Sequence, residues 1–85
     1  MSNVTAVPTS KGYGRGIDAK AFALAMDMAG ITPAQLAART DISPDYVLNI
    51  RNGHRRLKRN PVLRRRLAEE LGVPVRWIES QEAAA

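Results

Sequence analysis

The chain is 85 residues long, 45% apolar and 25% charged, with a formal net charge of +5 at neutral pH. That length suits one small domain with a modest core. The absence of cysteine excludes disulfides and thiolate metal sites, a single histidine makes a His-based metal site equally poor, and no apolar run approaches the roughly 20 residues a membrane span needs. Without a signal-peptide core, the expected setting is a soluble intracellular one with no cofactor.

Residues 1–16 mix Ser, Thr, Asn, Pro and Gly without periodicity and read as a flexible N-terminal arm, to which Lys11 and Arg15 give positive charge. The domain is placed at 17–80. Asp18 is positioned to cap a first helix ending near Ala29. Its apolar arc is wide, with Phe22, Ala25, Met26 and Ala29 extended by Leu24 and Met28. A helix this apolar should pack on C-terminal elements of its own chain or on another subunit.

Thr32 followed by Pro33 and Gln35 forms a capping box with proline at the first helical position, so a second helix begins at Pro33. Leu36 and Ala37 supply its apolar face, and Thr40 and Asp41 break the pattern. Ser43 and Pro44 repeat the cap-plus-proline signal, opening a third helix that runs to Asn52, with Gly53 as the stop. With Val47 and Ile50 turned to the core, Asp45, Leu48, Asn49 and Asn52 point away from it. Such residues suit base edges: Asn pairs with adenine, Asp accepts from the cytosine amino group, and Leu touches the thymine methyl. Nothing in the pattern points to catalysis.

Between Arg51 and Arg66 lie eight of the thirteen Lys and Arg residues and no acid; the rest of the chain carries five bases against eight acids. A solubilising surface intersperses both signs, whereas a one-signed cluster is the footprint of a polyanion-binding face. His54 falls in this basic loop and reads as phosphate-facing or solvated. Asn60 and Pro61 start a fourth helix with a stripe of Leu63, Leu67, Ala68 and Leu71, closed by Gly72. Arg64, Arg65 and Arg66 emerge near its first turns, where they oppose the helix dipole, which points to phosphate partners or to pairing with Glu69 and Glu70. A short fifth helix over 75–80 is expected to lay Trp77 on the core, and 81–85 is a tail.

The segment from Ile31 to Arg55 resembles the Cro and lambda-repressor-like helix-turn-helix family without a gap, on Ile31, Ala37, Ile42, Val47, Ile50 and Asn52-Gly53. The likeness continues through the LGVPVRWI ending and covers roughly Ile17 to Ile78. It implies an all-α, five-helix lambda-repressor-like domain whose second motif helix lies in the major groove. By that resemblance Pro44, Asp45 and Asn49 fall among the base contacts, and the outward face adds Leu48 to them. The resemblance puts Tyr46 and Asn52 where DNA backbone contacts are common; the basic loop adds His54, Arg55, Arg56, Lys58 and Arg59, and the caps Gln35 and Ser43 complete the expected backbone contacts. Two departures are Pro33, where the family often has a polar residue, and Asp41, where it often has Gly; Asp tolerates the left-handed conformation better than most residues.

The expected function is sequence-specific binding of duplex DNA and regulation of transcription by a small Cro-like or immunity-type regulator of a phage or bacterium. Helix 1 and the Trp77-Ile78 end are the surfaces available for a weak homodimer pairing on DNA. Two alternatives stand beside this: a DNA-binding antitoxin with a protein partner, and a sequence-blind basic protein that coats nucleic acid.

Overall fold

The structure, a computed structural model, describes residues 16–80. Five helices follow in order: α1 (Ala19–Ala29), α2 (Pro33–Thr40), α3 (Pro44–Arg51), α4 (Pro61–Leu71) and α5 (Val75–Ile78). The expected arm charges Lys11 and Arg15, and the tail 81–85, lie outside the described residues.

Local chemistry sets each helix start. Asp18 accepts from the N–H groups of Lys20 and Ala21 at 3.0 and 3.3 Å. The capping box of α2 is complete, Thr32 accepting from the Gln35 N–H at 3.1 Å while the Gln35 carbonyl oxygen accepts from the Thr32 N–H at 2.9 Å. Ser43 and Asn60 cap α3 and α4 in the same way, each accepting at 3.1 Å from the backbone N–H three residues on. Gly30 and Gly72 end α1 and α4 at positive φ, a conformation that costs a residue with a Cβ. Asp41 takes the same conformation at φ 62° after α2, and Asn52 caps α3, one residue earlier than the expected helix end.

One core joins all five helices. Phe22, Met26, Leu36, Val47, Ile50, Leu67 and Ile78 are fully buried in it, and Ile17 enters from the segment before α1. α2 packs on α3 and α4, α1 on α3, α4 and α5, and α4 on α5. Thr40, expected to interrupt the apolar face of α2, is buried; its hydroxyl donates to the Leu36 carbonyl at 2.8 Å, which satisfies it without water.

Two expectations about the core are corrected. Trp77 is 55% exposed: in a four-residue helix Val75 and Ile78 share the inward face, and Trp77 between them turns outward. On α1, Leu24 and Met28 are 59% and 65% exposed, because residues two positions from Phe22 and Met26 point nearly opposite to them; Ala29, on the inward side but at the last residue of the helix, is exposed as well. The intrachain core therefore takes Phe22, Ala25 and Met26 and leaves the rest of the arc at the surface.

The described ends of the chain meet. Ile17 and Glu79 pair antiparallel, the Ser80 N–H donates to the Gly16 carbonyl at 2.7 Å, and the Asp18 N–H donates to that of Ile78 at 2.8 Å. Gly16, expected in the flexible arm, is buried at this seam, and a Cβ on it would lie 2.8 Å from that of Arg56.

Candidate nucleic-acid interface

α3 turns Val47 and Ile50 into the core, which leaves Pro44, Asp45, Leu48 and Asn52 exposed and Asn49 partly so. Asp45, Leu48, Asn49 and Asn52 recur at i, i+3, i+4 and i+7 and so form one stripe. The Asn49 side-chain amide makes no hydrogen bond among the described residues. Its backbone carbonyl is used structurally, accepting from the N–H groups of His54 and Arg55 at 2.8 and 3.2 Å. That bifurcated contact folds the basic loop back against the end of α3.

The loop then runs beside the stripe. Arg55 lies over the Tyr46 ring with its guanidinium carbon 5.1 Å from the ring centroid, so a cation of the loop is seated on the first turn of α3. Tyr46 is partly buried and packed against the core, which makes it a fixed platform. His54, Arg55, Lys58 and Arg59 are exposed; Arg56 is half-buried, and its backbone carbonyl accepts from the Ile17 N–H at 2.7 Å. Gln35 and Ser43 use their side-chain oxygens as caps, as described above, and each still has a donor group to offer.

Arg51, Arg66 and Arg64 of the basic cluster turn to partners on other elements. Arg51 leaves the stripe for α1, where it pairs with Asp27 at 3.3 Å and contacts the Met26 sulfur at 3.7 Å. Arg66 donates to the Arg39 carbonyl near the C-terminal end of α2 at 3.0 Å, where the dipole favours a cation. Arg64, expected to emerge toward phosphates, is instead 1% exposed. Its Nε donates to Glu79 at 3.0 Å, and its Nη1 to the carbonyls of Leu57 and Lys58 at 2.6 and 3.4 Å.

Arg64, Arg65 and Arg66 are adjacent in sequence but do not share a face of α4. The signal was present in the register, since Arg64, Leu67, Ala68 and Leu71 occur at i, i+3, i+4 and i+7, one face of α4. Leu57 was also missed. It holds φ 55°, the left-handed region, while its side chain packs against the core.

The exposed stripe carries one acid, Asp45, and the loop that follows α3 adds the exposed cations Arg55, Lys58 and Arg59, a concentration of positive charge suited to a polyanion. No single helix among the described residues is long and apolar enough to cross a membrane. Comparison with protein-family models, with curated proteins and with solved structures finds no match for this chain.

Proposed function

We propose that this protein is a sequence-specific duplex-DNA-binding regulator of transcription with a lambda-repressor-like arrangement, α3 being the helix that enters the major groove. The observation that carries this reading is the Asp45, Leu48, Asn49 and Asn52 stripe, with Arg55 seated on Tyr46 of the same helix and the exposed Lys58 and Arg59 further along the same loop. Side chains of the stripe read base edges, and the loop cations hold phosphates and set the register. The setting of such a regulator is the cytoplasm of a bacterium, phage-infected or not.

Selecting duplexes from a random pool tests it. The expected result is a defined consensus bound at least about a thousandfold more tightly than a scrambled duplex. Equal affinity for both overturns the reading in favour of a sequence-blind coat.

One short helix reads only a few base pairs, and Leu24, Met28 and Trp77 give the domain exposed apolar surface for a second copy. The expected behaviour is a monomer or weak dimer in sedimentation that binds as a pair on an inverted repeat with half-sites about 34 Å apart. A single chain with full affinity on an isolated half-site counts against pairing.

A further inference from the structure

The buried guanidinium of Arg64 has no place in a surface that binds phosphate by exposed cations. We infer that Arg64 is a positioning residue, which orients the Leu57 to Arg59 turn so that Lys58 and Arg59 can each receive a phosphate, an inference resting on the DNA-binding reading above. Arg64 itself does not touch the anion.

The argument starts from the peptide plane. All described peptide bonds are trans, so a carbonyl and the N–H that follows it point in opposite directions. Arg64 draws the carbonyls of Leu57 and Lys58 inward. The N–H groups of Lys58 and Arg59 are thereby directed away from it, and neither donates to an acceptor among the described residues. The turn is closed by the Asn60 N–H, which donates to the Leu57 carbonyl at 3.2 Å. Leu57 sits at φ 55°, a conformation a branched L-residue keeps only when its surroundings hold it. The charged hydrogen bond at 2.6 Å from Arg64 supplies that hold.

Glu79 fixes the guanidinium in turn. Its carboxylate, with the side chain 11% exposed, accepts from Nε at 3.0 Å, and its backbone pairs with Ile17. The Ile17 N–H donates to the Arg56 carbonyl, a second tether on the same loop. The turn that presents Lys58 and Arg59 is thus referenced to the seam between residues 16–18 and 78–80. Planar geometry matters here: one fork reaches a carboxylate through Nε and two carbonyls through Nη1, which the single ammonium of lysine cannot reproduce.

The test compares wild type, R64K, E79Q and K58A/R59A. Fold is checked by circular dichroism and a cooperative melt, amide order at residues 58 and 59 by the heteronuclear 15N NOE of the free protein, and phosphate contact by the salt dependence of binding to a random-sequence duplex. For folded R64K the expected result is a fall in the NOE at both amides and roughly tenfold weaker binding. The slope of log K against log salt should fall by about 2, as for K58A/R59A, although the charge at residue 64 is kept. Adding K58A/R59A to R64K should cost little more. E79Q, which keeps Arg64 and removes its counter-charge, should move both readouts the same way by less.

An ordered turn and an unchanged slope in R64K overturn the inference and leave Arg64 a stabilising residue only. Should R64K fail to fold, E79Q decides by the same two readouts. If wild type binds no duplex DNA, the regulator reading falls, whereas the NOE still judges the hold of Arg64 on the turn.

Discussion

Replacing Asn49 with Ala is expected to lower affinity for the preferred duplex by about 1–3 kcal/mol and to leave binding to scrambled DNA nearly unchanged. The asymmetry follows from where Asn49 sits. Its side-chain amide makes no hydrogen bond among the described residues, so removing it breaks no polar contact there, and Ala is the better helix former. The folding of N49A should therefore equal or slightly exceed that of wild type. What the substitution removes is a paired donor and acceptor matched to an adenine edge, which random sequence seldom presents in register. Fluorescence anisotropy on the selected and scrambled duplexes, run at one salt concentration, measures both terms. Equal losses on the two would move base recognition away from the middle of α3.

Phe22→Ala is expected to cost about 3–5 kcal/mol of folding stability and to lower Tm by about 15–30 °C. Phe22 is fully buried on α1, which packs against α3, α4 and α5, so the cavity opens where four helices meet. A domain of this size has roughly 5–10 kcal/mol in total, and one substitution brings it near the unfolding threshold. Because a single core holds every helix, the melt should stay cooperative as it shifts. Leu24→Ala, two positions along the same helix but exposed, should change stability by less than about 0.5 kcal/mol. Calorimetry of both variants checks the pair: a small loss for F22A, or comparable losses for the two, would contradict the assignment of the inward face of α1.

Much of the fold was legible because helix ends are written in local chemistry. The Thr32, Pro33 and Gln35 cap and its repeats at Ser43 and Asn60 act within three residues, so a sequence window holds the whole interaction. The outward stripe of α3 followed from periodicity around Val47 and Ile50 in the same way. The errors came where residue type was weighed above register. Trp77, expected on the core, faces outward because Val75 and Ile78 already define the inward face. Arg64 was grouped with Arg65 and Arg66 by charge, although its spacing matches the leucine stripe. Its partners could not be found locally: Glu79 lies fifteen residues on and the Leu57 carbonyl seven residues back, and only the packed chain brings them to one guanidinium. Leu57 at positive φ carries no sequence signal, since leucine is not a residue that favours it.

The seam joining Gly16 to Ser80 has a consequence for rewiring the chain. Backbone atoms at the two positions are 2.7 Å apart, so a few flexible residues suffice to connect 80 to 16 without reshaping either. The order of helices along the polypeptide is then separable from their arrangement in space, and a circular permutant opened at the turn between α1 and α2 retains every helix intact. The same closeness means that a tag or fused domain attached before residue 16 or after residue 80 departs from a common point, beside the Arg56 end of the basic loop. Neither attachment is remote from the surface proposed to meet DNA, and a spacer is called for at both.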